Sequence, residues 1–284
     1  MINPLLFDYK KREVWRVQEH NLWSFRQNGD MRNGLLLNFG NMVSGYSFTM
    51  FAGTEFAKTF QNSEAAYIAG VYNNGSDLHL EAQKQCLISA NGYLLKGILR
   101  KQRNNFTASI NIPLWEKINV EWMKICQMYK VETNENYREM LCRLPSWENG
   151  QQGALIVEDS TGVGTDRIRY DETGNEIFHT SMFWGMKSVD RRKMQKASDL
   201  EIEDKWLGKK KYLATKQMEE RYVLDNKHNF EFWGCNCQGK IVTLAKYCLD
   251  NRLNMADSID WSVFEGMNFY WFGKKLMLYK TSKI

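Results

Sequence analysis

The stretch PLWEKINVEWMKICQMYK, residues 113–130, is the clearest helix signal in the chain. Pro113 suits the first position of a helix, because its missing N–H would have no intrahelical partner there. An apolar stripe follows at i, i+4, i+8, i+11 and i+15, made of Leu114, Ile118, Trp122, Ile125 and Tyr129. This is the spacing of one helical face. We expect that face to lie in the core, with the neighbouring segments packed around it.

Further helices are predicted on the N-terminal side of this stretch. Asn62 or Ser63 is a good N-cap for a helix over residues 64–72. Ser76 can cap a second helix, which Asn91-Gly92 ends. Residues 94–103 continue as a third helix with a basic end.

Short strands make up the smaller part of the predicted structure. Residues 33–52 alternate well enough for two strands. Residues 154–157 predict a buried strand that leads into two acids, and a hairpin is predicted around residues 172–175. The sequence therefore predicts an α+β fold, predominantly helical, with a small β component.

Length and composition favour a single domain over residues 1–284. The chain has 284 residues, 43% of them hydrophobic and 25% charged, which is enough to bury a full core. Residues 1–16 contain no apolar segment typical of a signal peptide, and no apolar run approaches 18 residues. We therefore expect a cytoplasmic protein with no membrane span.

The cysteines do not predict a metal centre. Cys235 and Cys237, with His228 nearby, could supply ligands, but a structural zinc site needs two well-spaced pairs and only one is present. We expect the six cysteines to be reduced thiols that mostly fill the core. No metal and no cofactor is predicted.

Three separated stretches carry the candidate chemistry: FQNSEAAYIAG (60–70), ALIVEDSTG (154–162) and FWGCNCQGK (232–240). They contribute three candidate catalytic acids, Glu64, Glu158 and Asp159. Cleavage of a glycosidic bond needs a carboxylate beside the oxocarbenium-like transition state. A first-turn acid such as Glu64 is also favoured by the helix dipole whatever the protein does, so the alternative is a purely structural role.

Aromatic residues are candidates for binding a flat ring. Trp115, Trp184 and Trp233 would by default belong to the core. Trp115, however, lies on a different helical face from the apolar stripe of the same helix. A tryptophan turned away from the core can stack on a purine.

The order of these motifs resembles the NADAR family, which is associated with NAD and ADP-ribose metabolism. The resemblance covers roughly residues 36–249 and rests on Leu37-Asn38-Phe39, Ser63-Glu64, Trp115, Met123 with Lys130, Val157-Glu158-Asp159-Ser160, Trp184-Gly185 and Gly234-x-Asn236-x-x-Gly239-Lys240. The chain departs from the family pattern at Leu37, Gly40, Ala65 and Val71, where the family has Ser, Tyr, His and Lys. The family has an acidic residue just ahead of its Trp-Gly pair, and in this chain that residue corresponds to either Asp166 or Asp171.

The resemblance also implies a domain layout and a set of site residues. A charged insertion is expected over residues 165–230 and a C-terminal extension over residues 250–284. Glu64 and Glu158 or Asp159 would flank the anomeric carbon. The ligand-binding residues would be Asn38, Phe39, Arg103, Trp115, Lys130, Trp184, Trp233, Asn236 and Lys240. Trp115 and Phe39 would stack on the leaving base or adenine, and Asn38 and Asn236 would hydrogen-bond ribose or base edges. Arg103, Lys130 and Lys240 would contact phosphate.

The function implied is that of an N-glycosidase, or ADP-ribosyl hydrolase, that removes ADP-ribose from guanine in DNA. Basic stretches at residues 100–103, 191–193 and 209–211 favour DNA as a partner, because phosphate contacts supply sequence-independent affinity. A solvated charged surface is the alternative for the segment 186–221. The alternative functions are a non-catalytic module that binds ADP-ribose, a hydrolase of phosphoribosylamino-pyrimidine intermediates of riboflavin synthesis, and a structural or phage-related interaction protein.

Overall fold

The computed structural model describes residues 2–16, 22–25, 46–88, 109–158, 169–170, 176–177, 183–188 and 231–279. Helices predominate among them and the sheets are small, which confirms the predicted α+β, mostly helical class. The chain divides into two compact units, Met1–Gly40 with Asn149–Thr243 and Asn41–Glu148 with Leu244–Ile284. They are called the first and the second unit below. The single domain predicted over residues 1–284 stays a prediction.

The described helices are α1 (Ser63–Val71), α2 (Asp77–Ile88), α3 (Ile112–Thr133), α4 (Glu135–Cys142) and α5 (Cys237–Asp250). Three of them, α1 to α3, match predicted ones, whereas α4 and α5 were not predicted. The side chain of Asn62 accepts a hydrogen bond from Ala65 N at 2.7 Å, which confirms it as the N-cap of α1. Ser76 Oγ accepts from His79 N at 3.3 Å at the start of α2. The third helix predicted, over residues 94–103, lies outside the described residues.

Helix α3 is the centre of the second unit. Its N-cap is Asn111, whose side chain accepts from Leu114 N at 3.1 Å, and Pro113 occupies the first turn. The predicted core face is confirmed, since Ile118, Trp122 and Ile125 are fully buried. Burial extends beyond that face, because every residue from 122 to 130 is buried. Helices α1 and α4 and the strand over residues 48–50 all pack on α3, so no side of this part of the helix meets solvent.

Helix α1 packs against α3 through the side chain of Trp122. The indole N–H of Trp122 donates to Ala66 O at 3.3 Å. A Cβ added at Gly70 would lie 2.1 Å from the Trp122 indole nitrogen, which leaves room for glycine alone. Residue 70 must therefore be small for the two helices to approach this closely.

The second unit contains two short antiparallel pairs of strands. These are β3 (Phe48–Met50) with β4 (Lys58–Phe60), and β10 (Phe269–Trp271) with β11 (Lys274–Leu276). Strand β3 lies in the second half of the predicted pair at residues 33–52, but its partner is the later β4. The first half of that predicted pair lies outside the described residues.

The first unit contains the other strands. A three-stranded antiparallel sheet has the order β1 (Glu13–Arg16), β9 (Glu231–Gly234), β8 (Lys187–Ser188). Strand β2 (Leu22–Phe25) runs parallel to β5 (Leu155–Glu158), the strand predicted at residues 154–157. Strands β6 (Arg169–Tyr170) and β7 (Glu176–Ile177) pair antiparallel, as expected for the predicted hairpin, whose turn at residues 172–175 lies outside the described residues.

The predicted insertion and extension differ in how much of them the structure describes. Of residues 165–230, only β6, β7 and residues 183–188 are described. The extension forms two 3-10 turns, Met255–Ser258 and Trp261–Phe264, followed by the β10–β11 hairpin. In the described ranges, no helix combines the length and apolar character needed to cross a membrane.

A single buried amide fastens the C-terminal hairpin to α1 and α2. Gln83 is 1% exposed, and its Nε2 donates to the carbonyls of Ala69, Tyr72 and Tyr270 at 3.3, 2.7 and 3.1 Å. Its Oε1 accepts from Phe272 N at 2.7 Å. The C-terminal extension is therefore an integral part of the second unit.

Replacing Gln83 by Leu should lower the free energy of unfolding by roughly 3 kcal/mol or more, because several buried backbone groups lose their partner. Chemical denaturation measures this. Gln85→Leu is the matched control, since Gln85 donates to Glu81 of the same helix at 2.7 Å in an exposed hydrogen bond, and should change stability by less than about 0.5 kcal/mol. Equal losses in the two variants would contradict the assigned role of Gln83.

Candidate functional site

Helix α1 has a buried face and an accessible face. The buried face consists of the small residues Ala65, Ala66, Ala69 and Gly70. The accessible face consists of the half-buried residues Glu64, Tyr67, Ile68 and Val71, at i, i+3, i+4 and i+7. Close packing on α3 thus leaves the carboxylate of Glu64 on the side of α1 that a ligand can reach.

An aromatic pair lies on the same accessible face. The indole N–H of Trp115 donates to the hydroxyl oxygen of Tyr67 at 3.1 Å, and the two rings are edge to face with centroids 5.1 Å apart. Both side chains are half-buried. Sequence reasoning placed Trp115 off the apolar stripe but missed Tyr67, which could have been found from its position three residues after Glu64 in a predicted helix. Glu64, Tyr67 and Trp115 are called the α1 cluster below.

Lys130, predicted to meet phosphate, lies inside the second unit. Its side chain is fully buried, and Nζ donates to Ser63 Oγ at 3.1 Å. The rings of Tyr46, Phe48 and Tyr137 lie 5.7, 5.8 and 4.9 Å from Nζ. Burial disfavours the charged amine and lowers the pKa of Lys130 to about 7. The phosphate role stays a prediction.

In the first unit, the side chain of Asn236 holds the end of strand β5. Its Nδ2 donates to Ile156 O at 2.8 Å and its Oδ1 accepts from Glu158 N at 3.0 Å. The backbone N of Asn236 donates to Gly185 O at 3.2 Å, and Met186 N donates to Glu158 O at 2.8 Å. This arrangement, called the β5 clamp, replaces a neighbouring strand along one edge of β5 and fixes the backbone that carries Glu158.

Asn236 and Gly239 of the G-x-N-x-x-G motif are suited to their positions in this clamp. Asn236 adopts a left-handed conformation with φ +53°, which Asn tolerates better than most residues. A Cβ added at Gly239 would lie 2.3 Å from both Ile156 O and Asn236 Oδ1, so α5 can approach β5 only through glycine here. The nitrogen and the oxygen of the Asn236 side-chain amide both bond the backbone of β5. The predicted contact of Asn236 with ribose or base stays a prediction.

Lys240, the last residue of the same motif, ties the N-terminal segment to α5. Its Nζ lies 2.8 Å from Glu13 Oε2 and donates to the carbonyls of Asp8 and Lys11 at 2.7 and 3.3 Å. The side chain is fully buried. An ammonium group has three donors, and the contacts with Glu13, Asp8 and Lys11 use them. A phosphate contact by Lys240 stays a prediction.

The remaining predicted site residues are placed as follows. Trp184 is half-buried beside Gly185, with its ring 5.0 Å from that of Phe183. Asn38, Phe39, Arg103, Asp159 and the side chain of Trp233 lie outside the described residues. Glu64 belongs to the second unit and Glu158 to the first, and the prediction that their carboxylates face one cleft stays a prediction.

The cysteines show no metal-binding arrangement in the described part of the chain. Cys235 is buried, its thiol donates to Lys10 O at 3.1 Å, and burial raises its pKa. Over the described ranges, no three His, Cys, Asp or Glu side chains are grouped so that they could hold a metal ion. His228, the third ligand considered, lies outside those ranges.

Comparisons with protein-family models, with curated proteins and with solved structures find no match for this chain. The resemblance to the NADAR family therefore rests on the motifs in the sequence alone.

The β5 clamp can be tested by two replacements of Asn236. Asn236→Gly keeps the left-handed conformation but leaves Ile156 O and Glu158 N without their partner, and should lower the free energy of unfolding by about 2–4 kcal/mol. Asn236→Ala should lose roughly 1 kcal/mol more, because alanine is strained at positive φ. Thermal and chemical denaturation of both variants check this, and a glycine variant as stable as the parent would contradict the clamp.

The buried amine of Lys130 should make stability depend on pH. Its pKa is about 7 in the folded protein and 10.5 ordinarily, so between these values the unfolded chain binds more protons and stability rises with pH. We expect the free energy of unfolding of the parent to increase from pH 7 to 8.5 relative to that of Lys130→Met. Lys117→Met, at an exposed position of the same helix, is the control and should behave as the parent. A Lys130→Met variant with the pH dependence of the parent would refute the assignment.

Proposed function

We propose that the protein is a hydrolase that cleaves the N-glycosidic bond between ribose and a base, and that its substrate is ADP-ribosylated guanine in DNA. The observation that carries this proposal is the α1 cluster, in which Glu64 and Tyr67 share the half-buried face of one short helix and Trp115 of α3 bonds the Tyr67 hydroxyl. We place the reaction in the cytoplasm.

The α1 cluster has the groups that this reaction requires. Departure of the base leaves an oxocarbenium-like ribose, whose positive charge a carboxylate stabilises. Glu64 is half-buried, so it is partly shielded from water while remaining reachable. Tyr67 follows Glu64 by three residues on the same face of α1, and Trp115 of α3 lies against its ring, so aromatic surface is present there for a flat base.

The second carboxylate of the proposed site is Glu158. Its backbone N–H and C=O are both held, by Asn236 Oδ1 and by Met186 N, so the residue has a fixed position at the carboxyl end of β5. Ligands commonly bind beyond the carboxyl ends of parallel strands. Glu158, with Asp159 following it in the sequence, is proposed to orient the attacking water.

The choice of substrate rests on the sequence. The motif order resembling NADAR supports ADP-ribose as the group removed, and the basic stretches at residues 100–103, 191–193 and 209–211 support DNA as the carrier. A free metabolite would not need such phosphate contacts. We propose no metal ion or other cofactor for the reaction.

Glu64→Gln should reduce turnover by a factor of ~100 or more while binding survives, because it removes the negative charge but keeps the shape. The assay is release of ADP-ribose from an ADP-ribosylated oligonucleotide, with and without chelator, and binding is measured with ADP-ribose. Asp77→Asn is the matched control: Asp77 is an exposed first-turn acid of α2, so its replacement has the same effect on a helix N-terminus and should leave turnover unchanged.

Three other outcomes would change the proposal. Turnover that strictly requires zinc would overturn the metal-free reaction. ADP-ribose binding with no release from any carrier would point to a non-catalytic binding module. A folded Glu64→Gln variant as fast as the parent would remove Glu64 from the reaction and leave Glu158 and Asp159 as the candidate acids.

A further inference from the structure

The hydrogen bond between Trp115 and Tyr67 fixes the direction of a proton. An indole N–H can only donate, so at 3.1 Å the Tyr67 oxygen is the acceptor. The hydrogen of the phenol is then directed to an acceptor other than the indole. The indole N–H continues to donate to the Tyr67 oxygen after the phenol has given its proton away, and this hydrogen bond stabilises the phenolate.

The position of the phenol relative to Glu64 is set by rigid elements. Glu64 and Tyr67 are at i and i+3 of α1, where side chains are neighbours on the helix surface. Helix α1 is held at its start by the Asn62 cap, and its middle by the bond from Trp122 to Ala66 O. Trp115 projects from α3, which is itself the buried centre of the unit. The two helices therefore position Tyr67 on the same face of α1 as Glu64.

We propose that Tyr67 is a second catalytic residue, the general acid that protonates the departing base. This inference rests on the proposed function and adds the proton donor that the carboxylates do not supply. Tyrosine is among the side chains that perform general acid catalysis. Trp115 is then a positioning residue, because its indole orients the phenol.

The proposed step balances in atoms and charge. The C1′–N bond breaks, its electron pair goes to the base nitrogen, and the Tyr67 proton moves to the base. The carboxylate of Glu64 faces the oxocarbenium ion. Water then attacks C1′ and gives its proton to a carboxylate, and that proton returns to the Tyr67 phenolate. The products are the neutral base and ribose with a hydroxyl at C1′.

The test compares two oligonucleotide substrates that differ in their need for an acid. One carries ADP-ribosylated guanine, and the other carries the same group on guanine methylated at N7. The methylated base is a cation and can leave without receiving a proton. Tyr67→Phe keeps the ring and removes only the hydroxyl, and its stability is checked by thermal denaturation.

With unmethylated guanine, Tyr67→Phe should lower turnover by a factor of ~100 or more, whereas with the N7-methylated substrate it should lower turnover less than about threefold. Trp115→Phe should give a smaller loss, of roughly tenfold, also confined to the unmethylated substrate. A merely structural role would affect both substrates equally. Glu64→Gln should slow both, because each forms the same oxocarbenium ion.

The outcomes separate this inference from the function on which it rests. If the parent cleaves both substrates and Tyr67→Phe is as fast as the parent, or is slowed equally on both, the general acid is refuted while the hydrolase stands. If the parent cleaves neither substrate, the proposed function and the role of Tyr67 both fall.

Discussion

The packing of the Trp122 indole against helix α1 is the contact on which the second unit depends. Its N–H bonds Ala66 O, and its ring fills the place where any side chain at residue 70 would lie. Phe269 and Trp271 lie 4.9 and 5.3 Å from it on the side of the C-terminal hairpin. An indole is large enough to reach all these elements at once, so it fixes their positions together. Because α1 must turn its small residues toward Trp122, Glu64 and Tyr67 are turned outward.

In the first unit the corresponding constraint is polar. A strand edge without a neighbouring strand exposes backbone groups whose burial is unfavourable. Along β5 these groups find side chains of α5 and its preceding turn instead: Thr243 Oγ1 accepts from Ile156 N at 2.9 Å, and the amide of Asn236 bonds Ile156 and Glu158. Asn236 and Lys240, the polar residues of the motif G-x-N-x-x-G-K, thus make structural contacts within the first unit, whatever the protein binds.

Local signals in the sequence were sufficient to predict much of the fold. The N-caps at Asn62 and Ser76, Pro113 in the first turn of α3 and the apolar run at residues 154–157 each act within a few residues, and each predicted element was found. Pairing between distant segments was not predictable in this way. Strand β1 pairs with β9 from the far end of the chain, and nothing within either strand specifies its partner.

The candidate site could be predicted in part for the same reason. Glu64 was placed on the first turn of a helix from its neighbours, and Trp115 off the core face from periodicity. The burial of Lys130 could not be predicted from the sequence, because it depends on three rings that come from Tyr46, from Phe48 of β3 and from Tyr137 of α4. A lysine in a motif looks like a phosphate ligand until its surroundings are known. The amine of Lys130 lies among three aromatic rings and donates to Ser63, the residue before Glu64.

The positions of Lys130, Glu64 and Tyr67 leave the accessible face of α1 as the candidate site in the described part of the second unit. Lys130 lies in the interior beneath the start of α1, whereas Glu64 and Tyr67 remain on its accessible face. The N-terminus of a helix favours negative charge, so the first turn of α1 is a suitable position for Glu64. The phenol of Tyr67, which accepts from the Trp115 indole, lies one turn further along the same face. An acid and an oriented phenol on one face of α1, opposite the small residues that pack on Trp122, are what support the reaction proposed for this unit.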